Sequence, residues 1–424
     1  MVFTSIYTVV DGYFVSNYVG KTPFAALNLV WPFLMICGAL GFMIGSGGSA
    51  LVSKTMGEGD DARAKRLFSM LVGVTVLIGA ALTAVVFIFM RPISMLLGAE
   101  GEMLDDCVTY GRILTLSMVP FMLQNEFQSF LIAAERPRLG LAVTVAAGVT
   151  NMVLDALFVA VLGRGLAGAA AATALSQTVG GVIPLIYFLS PNHSRLRLCR
   201  AEFDGRAFLR VCFNGASEFV SNISMSVVGI LFNLELLRIA GEDGVAAYGV
   251  VMYIDFVLVS VLLGYSIGTA PVISFHFGAE NHDELRSLYR KSLTVIAVVS
   301  VVVTVFAELS AGLLTRIFIS GDPALFEMTR RGIRLYSMLF LLAGFNMFGS
   351  SFFTALNDGF VSAVISFLRL FVFQILSLYL LSRLLPEAIQ LDGIWLAPVA
   401  AEVLSLSVTA AFLIGKRGKY HYAG

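Results

Sequence analysis

The chain has 424 residues, of which 58% are hydrophobic and only 13% are charged. Soluble domains are roughly half apolar and about a quarter charged. This composition, with a mean hydropathy of +0.87, therefore excludes an ordinary soluble protein and indicates one embedded in a membrane. The formal net charge is zero, which argues against a nucleic-acid partner.

Apolar segments long enough to cross the hydrocarbon core, roughly 20 residues each, recur along the chain. The first six predicted spans cover residues 1–19, 28–53, 68–90, 109–133, 139–163 and 167–189. The next six cover residues 209–238, 245–276, 290–319, 333–355, 360–383 and 393–415. The sequence thus predicts an all-α integral membrane protein with twelve transmembrane helices. Its predicted parts are an amino-terminal lobe at 1–190, a cytoplasmic linker at 191–207 and a carboxy-terminal lobe at 208–424.

The second set of spans repeats the first. A shift of 221 residues aligns Ser53 with Ser274 and Gly57 with Gly278. Parallel repeats of this kind are common in secondary transporters, which place a central cavity between the two halves. We therefore predict two pseudo-symmetric six-helix lobes.

The first predicted span differs from its counterpart in the repeat. Met1 aligns with Asn222, about a dozen residues after the seventh span begins, so we expect an N-terminally truncated first helix. A secretory signal peptide is the alternative interpretation of residues 1–20. The truncated helix is favoured because Asp11 interrupts the apolar stretch, and neither a basic leader nor a small-residue cleavage site accompanies it.

Glycines recur at spacings of three and four along the second span, at Gly38, Gly41, Gly45 and Gly48. Such a face lets another helix approach closely. A phosphate-binding loop is the alternative, but "GSGGSALVSKT" has no glycine directly before its lysine and lies within a span. Without a nucleotide motif, we expect an ion gradient to supply the energy for transport.

The basic residues of the polar loops predict the orientation of the chain. Their excess on one side places the carboxyl terminus in the cytoplasm, by the positive-inside rule, and the protein in the cytoplasmic (inner) membrane. A cluster of four arginines runs against this assignment, namely Arg316, Arg330, Arg331 and Arg334.

The cysteines and histidines predict no cofactor. The four cysteines have no CxxC spacing, and the four histidines do not cluster with them. The sequence therefore indicates neither a disulfide scaffold nor a zinc site.

A few polar side chains lie inside the predicted spans, where a charge costs about 2.5 to 3.5 kcal/mol on insertion scales. Asp11, Asp155 and Thr173 each lie nine or ten residues from the adjacent outer loop. At 1.5 Å per residue, this spacing puts all three at one level, roughly 13 to 15 Å below those loops. Asn151 lies one turn from Asp155 on the same helix face. The first, fifth and sixth spans can therefore present these four side chains to one point.

This constellation predicts a cation site. Two carboxyls close together in a low-dielectric medium do not both stay ionised, so the pair is expected to take up a proton. Alternatively, the oxygens of Asp11, Asn151, Asp155 and Thr173 hold Na⁺. A third interpretation is that they only join helices by hydrogen bonds. Asp11 aligns with Phe232 in the repeat, so the predicted site belongs to the first half alone.

Five further charged residues inside the spans form two groups, whereas Glu235 and Glu308 lie nearer helix ends that water can reach. Glu126, Glu218 and Asp255 are candidates to line a substrate cavity, and each has polar packing between helices as its alternative role. Arg369 and Glu402 lie on neighbouring spans, so we expect them to form a structural pair.

Several segments resemble one known family. They are "YTVVDGYFV", "GSGGSALVSKTMGEGD" with its partner "IGTAPVISFHFGAEN", and "NMVLDALFV" followed by "GLAGAAAATALSQ". With them the chain resembles the multidrug and toxic compound extrusion (MATE) transporters of the MOP flippase superfamily. The resemblance implies two lobes around a V-shaped cavity, and it implies that Asp11, Asn151, Asp155 and Thr173 match the family's amino-lobe cation site. It also likens Glu218 to an acidic position that some members carry.

The expected function is secondary active antiport, in which small organic cations or drugs leave in exchange for H⁺ or Na⁺. A lipid-linked precursor flippase of the same superfamily is the nearest alternative, although it would need a strongly basic cavity. An integral-membrane enzyme is a further alternative, but no catalytic motif supports it. We expect a monomer surrounded by membrane lipid, with no cofactor beyond the coupling ion.

Overall fold

The computed structural model describes residues 19, 21–192, 194–319 and 322–423. Within these residues the regular secondary structure is entirely helical. The chain divides into two compact units, and the boundary lies between Phe219 and Val220. The prediction of an all-α membrane protein is confirmed.

Six described helices lie wholly within the amino-terminal unit. They are α1 (Lys21–Gly57), α2 (Asp61–Leu96), α3 (Gly101–Thr115), α4 (Met118–Ala133), α5 (Pro137–Asp155) and α6 (Gly165–Leu189). A π-helical segment, Ala156–Val161, extends α5. The core of this unit is apolar and includes a cluster of aromatic rings, formed by Phe68, Phe127, Phe130 and Phe188.

A long helix, α7 (Gly205–Gly278), begins before the boundary between the units. It consists of two helices that meet at Gly241, where the backbone leaves the helical region with φ of 65°. Glycine tolerates this positive φ because it has no Cβ. The break corresponds to the short loop predicted between the seventh and eighth spans.

The remaining helices belong to the carboxy-terminal unit. They are α8 (His282–Phe318), α9 (Pro323–Ser337), α10 (Phe340–Ala355), α11 (Gly359–Phe367), α12 (Phe373–Leu384) and α13 (Gln390–Tyr420). A π-helical segment, Leu368–Val372, joins α11 to α12, and a short 3₁₀ helix, Glu387–Ile389, precedes α13.

The two units begin equivalent helices with the same capping chemistry. Asp60 precedes α2, and its side chain accepts a hydrogen bond from the backbone N–H of Arg63. Asn281, which is 221 residues farther along, precedes α8 and accepts one from the N–H of Glu284. An N-cap of this type satisfies a backbone donor at the start of a helix. The sequence repeat therefore extends to local structure.

Two of the predicted spans are wrong as continuous helices, because each is broken into two. The span at 109–133 breaks between α3 and α4, and the span at 333–355 breaks between α9 and α10 with a bend of 47°. At the first break Ser117 donates a hydrogen bond to Gln177 Oε1 at 2.6 Å. Pro120 follows and has no N–H to continue the helical ladder from Leu116.

The glycine face of α1 packs closely against α4, as predicted. A Cβ added to Gly45 would lie 2.8 Å from the Cα of Glu126, and one added to Gly41 would lie 2.5 Å from the carbonyl oxygen of Met122. Real side chains do not approach backbone atoms so closely. The two backbones can therefore meet only because these positions are glycine.

Eight helices in the described part of the chain are long and apolar enough to span a membrane, or nine if α9 and α10 form one bent span. This number is below twelve partly because α7 contains two of the predicted spans. Many large apolar side chains are exposed on the outer faces of these helices, including Leu96, Leu309 and Ile88. Such faces suit contact with lipid.

Candidate functional site

The carboxyl-terminal end of α5 carries two buried polar side chains. Asn151 is 2% exposed and Asp155 is fully buried. They are four residues apart and so share one face of the helix. On the opposite face Val153 is 58% exposed and Leu157 is 41% exposed. Therefore α5 turns its apolar side outward and holds the amide and the carboxylate inside the amino-terminal unit.

The neighbouring helix α6 supplies the third predicted residue. Asn151 Nδ2 donates a hydrogen bond to Thr173 Oγ1 at 3.4 Å. One turn farther along α6, Ser176 Oγ donates to the carbonyl oxygen of Ala147 at 2.8 Å. These two contacts fix α5 against α6, so the predicted meeting of Asn151 and Thr173 is present in the structure.

The amide of Asn151 has a buried oxygen available for a ligand. Its Nδ2 is used by Thr173, whereas its Oδ1 is buried and accepts no hydrogen bond from any residue that the structure describes. Buried carbonyl oxygens normally have a partner. Carboxylate, amide and hydroxyl oxygens suit hard cations, so this donor set fits Na⁺, and the carboxylate also fits a proton.

The backbone changes from an α-helix to a π-helix at this site. The α-helix ends at Asp155 and the π-helical segment begins at Ala156. A π segment inserts one extra residue into a turn and is frequent at functional sites. Here it changes the direction in which the residues after Asp155 face. The apolar sequence "ALFVAV" gives no sign of it, so sequence reasoning missed this feature.

Asp11, the remaining member of the predicted site, lies outside the described residues. Its proximity to Asp155 therefore stays a prediction. The oxygens that the structure brings together, or within one helical turn of one another, are those of Asn151, Asp155 and Thr173.

The three candidates for a substrate cavity occupy different environments. Glu218 and Asp255 are partly buried along α7. The hydroxyl of Tyr336 faces the carboxylate of Asp255, and Arg369 is close enough to act on it electrostatically. Glu126 has no exposed surface at all and faces the packed interior between α1, α2 and α4.

Arg369 and Glu402 form the expected pair. Arg369 Nε lies 2.8 Å from Glu402 Oε1, and Glu402 is almost completely buried. Asn346 completes the arrangement, because its Nδ2 donates to Glu402 Oε2 at 2.7 Å. Sequence reasoning missed Asn346. The only available signal was an amide within an apolar span, "FNMFG".

These features define a class of protein. A helical membrane protein built from a parallel repeat, with a carboxylate and an amide buried within its spans, has features typical of a secondary transporter. The MatE family model matches residues 1–157 and 219–380, which together make up most of the chain. The chain therefore belongs to the MATE family of transporters. The family predicted from the motifs is confirmed, and the protein is a transporter and not an enzyme.

Curated relatives agree with this assignment. The chain is 24% identical over 359 residues to "Multidrug export protein MepA" of Staphylococcus haemolyticus (strain JCSC1435). The aligned residues cover 84% of this chain and 78% of the relative. It is also 24% identical over 369 residues to the protein of the same name from Staphylococcus saprophyticus, with coverage of 86% and 80%.

Solved structures share the fold. "Crystal structure of MATE in complex with MaL6" superposes with a TM-score of 0.91 at 22% identity, covering 98% of this chain and 92% of the other. "Outward-facing conformation of a multidrug resistance MATE family transporter of the MOP superfamily" gives 0.91 at 23% identity, with coverage of 98% and 93%. At this level of identity the likeness establishes the fold alone.

Proposed function

We propose that this protein is a secondary active antiporter that exports small organic cations in exchange for H⁺ or Na⁺. The coupling ion binds at Asp155, Asn151 and Thr173, with Asp11 as the predicted fourth member. Filling and emptying this site changes the packing of the amino-terminal unit and so drives the change between outward and inward access. Drugs are the expected substrates, because the relatives named above are multidrug export proteins.

The buried Oδ1 of Asn151, one turn from Asp155, is the observation that carries this proposal. A purely structural asparagine would use both ends of its amide, whereas among the described residues this one uses only its Nδ2, toward Thr173. An acceptor oxygen held beside a buried carboxylate creates a region of negative potential. A cation, or a proton on the carboxyl, offsets it.

The same oxygens serve either ion, and gradients imposed one at a time distinguish H⁺ from Na⁺. Purified protein is reconstituted into proteoliposomes that contain a fluorescent organic cation. A pH gradient and a sodium gradient are then imposed separately. The gradient that drives loss of the dye identifies the coupling ion.

We predict that Asp155→Asn abolishes this driven efflux. The substitution keeps the size of the side chain but removes the group that takes up a proton or balances Na⁺. Efflux under the effective gradient should fall to the rate of protein-free liposomes. Glu308→Gln is the matched control, because Glu308 is an acid of the carboxy-terminal unit whose side chain is 38% exposed. It should transport at the wild-type rate. Wild-type efflux from Asp155→Asn would overturn the proposal.

A further inference from the structure

Glu126 is a buried acid that the proposed coupling site does not use. It lies in α4, and its side chain is 0% exposed. The glycine face of α1 covers the backbone at this position, since a Cβ on Gly45 would lie 2.8 Å from the Cα of Glu126. From α2, the hydroxyl of the fully buried Thr75 faces the carboxyl.

The carboxyl of Glu126 has no partner of normal geometry. Among the residues that the structure describes, none hydrogen-bonds to Oε1 or Oε2, and Thr75 Oγ1 is likewise without a completed hydrogen bond. Two other buried glutamates in the described chain differ in this respect. Glu402 is paired with Arg369, and Glu235 is paired with Arg238 and Arg383.

Among the described residues of the helices packed around it, none supplies a counter-charge to Glu126. The charges of α2 lie at its ends, in the run 61–66 and at Arg91, and α6 carries no acidic or basic residue. On α1, Lys54 is paired with Glu58. On α5 the buried titratable residue is Asp155, which is itself an acid and so supplies no positive charge.

An ionised carboxylate without a counter-charge is strongly disfavoured in such an interior, and the neutral form is favoured instead. Burial without a counter-charge therefore favours the protonated form of Glu126 in the packed conformation. Glutamine has nearly the same shape as a neutral glutamate and never carries a charge, so it would fill this position equally well. An acid at this position differs from glutamine in that its proton can leave.

The position of Glu126 along the helices gives the proton a route. It lies seven residues before the end of α4 at Ala133, or about 10 Å from the α4–α5 turn. Asp155 lies eighteen residues after Pro137, at the start of α5, or about 27 Å from the same turn. Glu126 is therefore much nearer to the basic turn at Arg136 and Arg138 that the positive-inside rule assigns to the cytoplasm.

We propose that Glu126 is a second proton-binding residue of the amino-terminal unit. Its carboxyl holds one proton while α1, α2 and α4 are packed around it. The glycine seam is the contact of Gly41 and Gly45 in α1 with the α4 backbone at Met122 and Glu126. The carboxylic acid releases its proton to water when this seam opens, and the carboxylate takes up one proton from water before the seam closes. This inference rests on the proposed antiport, because only a transport cycle opens the seam repeatedly.

Infrared spectroscopy tests the first half of the proposal without any transport. Wild-type protein and Glu126→Gln in lipid nanodiscs are compared at neutral pH in the region of the carboxylic acid C=O stretch. The wild type should show a protonated carboxyl band that Glu126→Gln loses. Transfer into D₂O should shift this band slowly, and adding a transported dye should accelerate the shift as the seam opens.

Transport tests the second half. The melting temperature in detergent serves as the measure of folding, and Glu126→Gln should keep that of the wild type. The pH dependence of driven efflux should be flattened in Glu126→Gln and restored in Glu126→Asp, which is shorter but still titrates. Thr75→Val, which removes only the facing hydroxyl, should keep the infrared band.

Each contrary result has a distinct meaning. If the band is unchanged in Glu126→Gln, the residue is not protonated and the proposal is overturned. If the band is lost but the pH profile matches the wild type, or Glu126→Asp fails like Glu126→Gln, the acid is only structural. Failure of the antiport itself would appear as absent driven efflux in the wild type, and the deuterium exchange of the Glu126 band would still decide this inference.

Discussion

Asp358 precedes α11 and receives two contacts from the end of α13. The Tyr420 hydroxyl donates to Asp358 Oδ2 at 2.6 Å, and Lys416 Nζ lies 3.3 Å from the same oxygen. Burial by itself raises the pKa of Asp358, but the hydrogen bond from Tyr420 and the charge of Lys416 outweigh it, so the pKa lies below its usual value. The contact therefore stabilises the fold above the unfolded-state pKa of about 3.9, and that contribution is lost as the pH falls through the folded-state pKa.

We predict that Tyr420→Phe lowers the free energy of unfolding by about 1 to 3 kcal/mol near pH 7, because a hydrogen bond to a charged group is removed. The loss should shrink once acid protonates Asp358. Thermal unfolding in detergent, at about pH 7 and in steps below the unfolded-state pKa of about 3.9, measures both effects. Tyr422→Phe is the matched control, since the Tyr422 hydroxyl donates to the neutral carbonyl of Leu413 at 2.6 Å. The cost of Tyr422→Phe should not change with pH. If the cost of Tyr420→Phe is also unchanged by pH, this assignment is contradicted.

Helix packing in the amino-terminal unit depends on glycine where α1 crosses the start of α7. A Cβ on Gly47 would collide with the carbonyl oxygen of Val211, and one on Gly215 would collide with that of Met43. Backbone atoms cannot move aside as a flexible side chain can. The two helices can therefore meet at this point only because both contact positions are glycine, and a side chain at either one would separate the backbones.

Gly47→Ala should consequently destabilise the protein by about 1 to 3 kcal/mol, the usual cost of overpacking, or prevent its folding. Gly73→Ala in α2 is the matched control, because a Cβ there would meet nothing within 4 Å. It should be neutral or stabilising by up to about 1 kcal/mol, since alanine is the better helix former. Detergent-solubilised yield and melting temperature compare the two. Equal behaviour of both variants would show that the α1–α7 crossing adapts to a methyl group.

The sequence predicts those helical features that depend on residues near one another along the chain. Hydropathy locates the spans, and the 3.6-residue period puts Asn151 and Asp155 on one face. The π segments and the break at Ser117 were not predictable, because the Ser117–Gln177 bond joins residues that are 60 positions apart. Glu126 shows the same limit. An acid within an apolar span suits a cavity wall as well as a packed interior, and only the tertiary contacts distinguish the two environments.

At the scale of the whole molecule, composition and the repeat already indicate a membrane protein of two halves. Which side of the membrane each loop faces depends instead on insertion, and the basic residues are the only guide to it in the sequence. The linker between α6 and α7 carries Arg195, Arg197 and Arg200. An even number of predicted spans separates this linker from the carboxyl terminus. Both should therefore lie in the cytoplasm if the proposed orientation is right.

Cys199 in this linker is exposed and provides a test of the orientation. Its backbone N–H donates to Ser69 Oγ at 2.9 Å, which keeps the linker at the surface of α2. With the other three cysteines replaced by serine, we predict that a membrane-impermeant maleimide labels Cys199 in inside-out vesicles but not in intact cells. Glu242→Cys, made in a chain that also lacks Cys199, is the matched control at an exposed position beside the Gly241 break. It should be labelled from the opposite side, and exchange of the two patterns would reverse the orientation proposed from the basic residues.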